Sequence, residues 1–324
     1  MLLNAALLIA GLVALFYGGN WLWRGASNLA MAFGVSVWGI ALTFVAIGTS
    51  MPELLVSLQA ALIGKSDFAL GNVIGSNIAN IGLILGLTGL IAPLSVKAVL
   101  LRREIPIMIL FSISVVALTL DGDINRLDGS ILLVAFVAFN VMLYRWAKRE
   151  RNERDRRLAD LDETPQSGRN RGREFTWLLL GILALALGSR MMVEGAVNLA
   201  RMVGLSELVI AVTLVAFGTS LPELAASISA AYHRETDLAI GNVVGSNIAN
   251  LLLILGAAAF VQPIAVKRAE AQLEFVVMLA FAVLLILFLR NHRLGRRQSA
   301  LFLGAYIAFV IYSLATGGVT SHPG

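Results

Sequence analysis

No cysteine occurs among the 324 residues. Disulfides, thiolate metal centres and cysteine nucleophiles are therefore excluded. Histidine is nearly as scarce. His233, His292 and His322 are the only three, and all fall in polar loops or the tail, so an intramembrane zinc site has no imidazole ligands. Charge is thin as well: charged residues make up 14% of the chain, against about 25% in a soluble domain. What fills the space is apolar, with 58% hydrophobic residues and a mean hydropathy of +0.83. Several uncharged runs exceed the roughly 20 residues that carry a helix across a bilayer. They are continuous, without the alternation of barrel strands. The expected fold class is an all-α polytopic protein of the lipid bilayer.

Ten spans fit, at roughly 4–30, 36–62, 67–92, 104–120, 129–146, 175–200, 206–231, 237–262, 271–290 and 299–316. The opening MLLNAALLIAGLVALF lacks the basic start of a signal peptide and reads as a retained first helix. The net charge of +5 does not point to nucleic acid, because basic residues collect in cytoplasmic loops. Arg145, Lys148, Arg149, Arg151, Arg154, Arg156 and Arg157, with Arg169, Arg171 and Arg173, crowd one segment. Residues 147–173 are accordingly expected as a cytoplasmic basic loop, exposed and partly disordered. Counting outward puts Lys97, Arg102, Arg103, Arg290, Arg293, Arg296 and Arg297 inside, and both termini outside. Lys267 and Arg268 fall outside, beside Glu270 and Glu274, and fit less well. The expected location is the plasma (inner) membrane of a bacterium or archaeon. Nothing in the sequence sets an oligomeric state.

The chain repeats itself. GTSMPELLVSLQAALIGKSDFALGNVIGSNIANIGLILG from Gly48 recurs as GTSLPELAASISAAYHRETDLAIGNVVGSNIANLLLILG from Gly218, at an offset of 170 residues, with 24 of 39 positions identical. Gly18, Gly25, Asn28, Gly34 and Ser36 match Gly188, Gly195, Asn198, Gly204 and Ser206. Residues 1–146 and 174–324 thus form two five-helix repeats. An odd number of spans forces the second repeat to lie upside down relative to the first.

Each copy places one glutamate, Glu53 or Glu223, in an otherwise uncharged stretch. A carboxylate at bilayer depth costs about 2.5–3.5 kcal/mol on insertion scales. It is either paired structurally, with Arg24 or Arg190 the nearest candidates, or it serves an ion. Pro52 and Pro222 precede the glutamates and should bend the helix, freeing carbonyls around Ala46 and Thr49 or Ala216 and Thr219. Thr49, Ser50 and Glu53 offer oxygens on nearly one face, as do Thr219, Ser220 and Glu223. Ser76 and Asn80 share a face of the next span, continued by Asn72; Ser246, Asn250 and Asn242 repeat the arrangement. Two readings stand for the asparagines. Cation ligation suits Asn80 and Asn250, whereas interhelical adhesion accounts for Asn77, Asn247, Ser57 and Ser227. Asp67 and Asp237 are expected to cap the helices they begin. Carboxylate, hydroxyl, amide and carbonyl oxygens together suit Na⁺ or Ca²⁺ and not Zn²⁺ or Cu⁺.

The paired motifs GTSMPEL with GNVIGSNIAN, and GTSLPEL with GNVVGSNIAN, resemble the α-repeats of the calcium/cation antiporter superfamily, and over nearly its full length the chain is similar to short prokaryotic sodium/calcium exchangers. The resemblance implies a ten-helix inverted repeat, four core helices around a central site, and two long helices sliding across it. It implies ligands from Thr49, Ser50, Glu53, Ser76 and Asn80, with Thr219, Ser220, Glu223 and Ser246. Asn250 stands where such exchangers commonly carry aspartate, which leaves stoichiometry and the choice of Na⁺ or H⁺ open.

The expected activity is secondary antiport, Ca²⁺ against Na⁺ or H⁺, with these ions as substrates and no cofactor. Na⁺/H⁺ antiport without Ca²⁺ is the alternative, since two buried glutamates can carry protons. An intramembrane enzyme would need a pair of membrane aspartates or histidine ligands, and the spans provide neither.

Overall fold

A computed structural model describes residues 2–33, 35–160, 171–202 and 216–316. Within these ranges a few side chains, Asp67 among them, are outside the description. The chain is almost wholly helical. Helix α1 is Leu2–Phe33, and α2, Val37–Thr49, meets α3, Met51–Leu62, at a 46° bend. Helix α4 runs through Ser66–Ala79, a π-helical turn at Asn80–Leu85, and Gly86–Ile91. Helix α5 begins with the π-helical turn Leu100–Glu104 and continues as Ile105–Leu118, and α6 is Arg126–Asp160.

The second half repeats the order. Helix α7 is Arg171–Met202. A short turn at Ala216–Thr219 leads into α8, Leu221–Tyr232. Helix α9 combines Thr236–Ala249, the π-helical turn Asn250–Ile254 and Leu255–Val261. Helices α10, Arg268–Phe288, and α11, Arg296–Thr316, follow.

Among the described residues seven helices are long and apolar enough to cross a membrane, or eight if the bent α2–α3 pair counts as one span. Of the two further expected spans, 299–316 falls on α11. The other, 206–231, lies partly outside the described residues, with α8 forming its second part. One expectation needs correction. Residues 147–160 are not loop, because α6 continues to Asp160. Arg, Lys, Glu and Ala are good helix formers, and a helix already nucleated in its apolar part extends readily through them.

The two halves interlock. Four two-residue strands pair across them: Leu94–Ser95 (β1) with Arg293–Leu294 (β4), and Asp123–Ile124 (β2) with Ile264–Ala265 (β3), both antiparallel. The pairings exchange under the repeat offset, Leu94↔Leu294 matching Ile124↔Ile264. Gly86 of α4 lies against Leu303 of α11, and Gly256 of α9 lies against Leu133 of α6 in the same relation. Each inner helix is thus held by the outer helices of the other half. Burial sorts the helices accordingly: 72% and 83% of the apolar windows of α4 and α9 are buried, against 22–33% in the other long spans.

Helices α1 and α7 cross the bundle as an antiparallel pair. A Cβ on Gly11 would stand 2.7 Å from the Gly188 carbonyl, and one on Gly188 would stand 2.9 Å from the Gly11 carbonyl. Only glycine lets the two backbones approach so closely.

Candidate cation site

The break between α2 and α3 follows from Pro52. Proline has no N–H, so the carbonyl of Gly48 loses its helical donor. Ser50 takes a non-helical conformation (φ −82°, ψ 8°), and Glu53 lies in the first turn of α3. A carboxylate there faces the positive end of a helix dipole. The Ala46 carbonyl, expected to be freed, keeps a partner: it accepts the Ser50 N–H at 3.0 Å. In the second half the carbonyl released by Pro222 is that of Gly218, and it accepts the Ser189 hydroxyl of α7 at 2.5 Å.

All ten residues singled out in the sequence are buried: Thr49, Ser50, Glu53, Ser76, Asn80, Thr219, Ser220, Glu223, Ser246 and Asn250. The halves meet through them. Ser50 Oγ donates to Glu223 Oε1 at 2.8 Å. Thr49 and Ser246 hydroxyls stand beside the Glu223 carboxyl group, and Thr219 and Ser220 hydroxyls beside that of Glu53. Among the described residues neither glutamate forms an ion pair with lysine or arginine. Arg24 lies instead over the Trp177 ring, 4.9 Å from its centroid.

Six buried oxygens at this meeting point complete no hydrogen bond: Glu53 Oε2, Glu223 Oε2, Asn80 Oδ1, Asn250 Oδ1, Ser220 Oγ and Ser246 Oγ. Each unsatisfied buried polar group costs about 1–3 kcal/mol. Native interiors carry few of them, so six on repeat-related residues form a pattern. Four are carboxylate or amide oxygens that only accept, and two are hydroxyl oxygens that can accept. A hard cation answers that set. The π-helical turns of α4 and α9 begin at Asn80 and Asn250, and such turns recur at functional sites.

The remaining polar residues divide differently from the sequence expectation. Asn72 Nδ2 donates to Ser57 Oγ at 2.9 Å and to the Glu53 carbonyl at 3.3 Å. Asn242 Nδ2 makes the matching bonds to Ser227 Oγ and the Glu223 carbonyl at 3.3 and 3.4 Å. These asparagines clamp each inner helix to the helix bearing its glutamate. Asn242 Oδ1 also accepts the Thr49 hydroxyl from the other half, at 3.3 Å. Asp237 does not cap its own helix. It accepts the Lys97 backbone N–H at 3.2 Å and its ammonium at 3.1 Å, tying two loops at one end of the bundle. The role expected for Asp67 lies outside the described residues. Ser189 was not legible in the sequence, because its repeat equivalent is Gly19 and no motif marks it.

Coverage of the site is unequal. Helix α1 lies across α8: a Cβ on Gly19 would be 2.9 Å from the Ala225 carbonyl, Ser229 Oγ donates to Asn20 Oδ1 at 3.4 Å, and the Trp23 ring stacks on His233 at 3.6 Å. The equivalent helix α3 is more open, with Leu55 62% exposed.

Two halves that meet through two glutamates, neither ion-paired to lysine or arginine among the described residues, with buried accepting oxygens beside them, form a candidate cation site. Comparison with known proteins agrees. The family model described as sodium/calcium exchanger protein matches residues 3–145 and 174–315. Inner membrane protein YrbG of Escherichia coli is 38% identical over 315 residues, covering 96% of each chain. Sodium/calcium exchanger MaX1 of Methanosarcina acetivorans is 32% identical, covering 95% of this chain and 97% of that one. A solved structure of the sodium-calcium exchanger NCX_Mj, soaked with zero Na⁺ and Ca²⁺, superposes with a TM-score of 0.82 at 33% identity, over 97% of this chain and 99% of that chain. The chain belongs to the sodium/calcium exchanger family of multi-pass membrane antiporters. The family is one of transporters.

Proposed function

We propose that the protein exchanges Ca²⁺ for Na⁺ or H⁺ at one site shared by its two halves. The observation that carries this reading is the convergence of six buried oxygens without hydrogen-bond partners, two of them from Glu53 and Glu223, where none of the described ion pairs brings a lysine or arginine to either glutamate. Thr49, Ser50, Ser76 and Asn80, with Thr219, Ser220, Ser246 and Asn250, supply the neutral ligands. Two carboxylates neutralise one Ca²⁺, or two Na⁺ or protons. Competition for the same oxygens couples the fluxes, because a site stripped of cations holds two mutually repelling carboxylates in a low dielectric.

In this reading residues 1–146 and 174–324 are five-span repeats in opposite membrane orientation, joined by the basic 147–173 segment on the cytoplasmic side. The exchange of strand pairings under the repeat offset supports it, as does the gathering of Lys97, Arg171 and Arg293 at one end of the bundle. Both termini then lie outside. The α1–α7 pair covers α8 on the cytoplasmic side and leaves α3 open on the outer side. Sliding of that pair exchanges the two coverings.

Na⁺/H⁺ antiport is the second reading, favoured by Asn250, which leaves the site only two carboxylates. Everted vesicles separate the two. Ca²⁺ uptake driven by an imposed Na⁺ or proton gradient is expected. Na⁺-coupled proton movement with no Ca²⁺ flux would establish the second reading instead.

A further inference from the structure

Asn80 and Asn250 are useful to a cation only if their amides turn the right way. A carboxamide presents an accepting oxygen on one side and two N–H donors on the other. Rotation by half a turn would direct N–H groups, with their positive ends, at the ion. Something must hold the orientation.

Two chains of hydrogen bonds lead from the site to a pair of buried methionines. Asn80 Nδ2 donates to Asn247 Oδ1 at 2.9 Å, and Asn247 Nδ2 donates to Met108 Sδ at 3.6 Å. In the other half, Asn250 Nδ2 donates to Asn77 Oδ1 at 3.4 Å, and Asn77 Nδ2 donates to Met278 Sδ at 3.9 Å. Both methionines are 1% exposed. They are repeat equivalents on α5 and α10. Each chain crosses between the halves twice, as Met108–Asn247–Asn80 and Met278–Asn77–Asn250.

The sulfur sets the direction. A thioether accepts weakly and donates nothing. The side of Asn247 or Asn77 that faces it must therefore be the N–H₂ side, which turns the oxygen toward the next asparagine. That oxygen requires the N–H₂ side of Asn80 or Asn250. The oxygens of Asn80 and Asn250 are then left pointing into the site, where they have no partner.

We propose that Met108 and Met278 are positioning residues for cation binding: through Asn247 and Asn77 they hold the carbonyl oxygens of Asn80 and Asn250 toward the ion. This rests on the shared cation site proposed above. It also assigns Asn77 and Asn247, which the sequence marks only as interhelical adhesion, a directional task. The competing explanation is packing, since buried methionine fills irregular gaps.

The test is a double-mutant cycle on Ca²⁺ transport in proteoliposomes. Met→Leu nearly conserves volume, so folding should survive. Met108→Leu and Met278→Leu together should raise the half-saturating Ca²⁺ concentration about tenfold, the low end of what outer partners of metal ligands contribute, with maximal rate within about twofold. In an Asn250→Asp background, Met278→Leu should add nothing. A carboxylate offers oxygen whichever way it turns, so no orientation need be held. An unchanged half-saturation in the double methionine variant overturns the proposal while Asn250→Leu still weakens Ca²⁺. An undiminished Met278→Leu effect in the Asn250→Asp background also overturns it, because the sulfur would then act by packing. If Asn250→Leu itself leaves Ca²⁺ affinity unchanged, Asn250 is no ligand and the proposal falls together with that part of the site.

Discussion

Met51 and Leu221 occupy the same place in the two copies of the repeat, one residue before each proline, yet Met51 is 39% exposed and Leu221 7%. The motifs around them are nearly identical. What differs is the α1–α7 pair lying over them. On α8 it brings Gly19, Asn20 and Trp23 into contact with Ala225, Ser229 and His233. On α3 the positions equivalent to Ala225 and Ser229, Leu55 and Gln59, are exposed. The site itself obeys the repeat: Asn72 and Asn242, Asn80 and Asn250, Met108 and Met278 each make matched bonds. These asparagine and methionine bonds are thus matched between the copies, while the exposure of the helices bearing the glutamates is not. A carrier that alternates needs that combination, since one fixed site must open to two sides in turn.

The strongest way to break the equality is to remove one carboxylate. Glu53→Gln and Glu223→Gln should each lower Ca²⁺ exchange by about a hundredfold or more, equivalent to ~3 kcal/mol, with the protein still folded by size-exclusion chromatography. Equal losses support a shared site. A loss in only one variant would mean that a single half carries the ion.

The inequality of access can be read directly, because the chain has no native cysteine. Met51→Cys should react with a water-soluble maleimide about tenfold or more faster than Leu221→Cys, as expected for an open against a buried thiol. Equal labelling rates would deny the difference between the two faces.

Asn250 breaks the match with the family pattern, and Asn250→Asp should restore it. Ca²⁺ should bind about tenfold tighter. Transport should also depend more steeply on pH, because a third buried acid must ionise before the cation enters. Asn250→Leu should weaken binding several-fold. A pH–rate profile superimposable on that of the unmodified protein would show that position 250 does not face the ion.

The smallest effect is expected at Ser189, whose hydroxyl takes up the Gly218 carbonyl where the other half has Gly19. Ser189→Ala removes about 1 kcal/mol from that contact. Relative labelling at the Met51→Cys and Leu221→Cys positions should shift about fivefold toward equality. No shift would mean that Ser189 is indifferent to which side is open.

Much of this was readable before the fold. The duplicated segment, the uncharged surroundings of Glu53 and Glu223, and Pro52 and Pro222 beside them mark the candidate site, and Pro52 marks the 46° helix break. The asparagine spacing gave one helical face. Other features resisted for physical reasons. The tie from Ser189 to Gly218 is a bond between elements whose repeat counterparts differ. Asn77 and Asn247 could be read as adhesion because their direction depends on sulfur atoms on other helices. The α6 extension through 147–160 was read as loop from its charge, although charged residues with good helix propensity continue a helix readily.

The central claim is one cation site completed by both halves. It is tested most directly by equilibrium Ca²⁺ binding to the purified protein and to the Glu53→Gln and Glu223→Gln variants, with Na⁺ as competitor. The account predicts a single class of Ca²⁺ site in the unmodified protein, displaced by Na⁺ and lost in each variant alone. Retention of Na⁺-displaceable Ca²⁺ binding in either variant, at half the stoichiometry or at unchanged affinity, would contradict it.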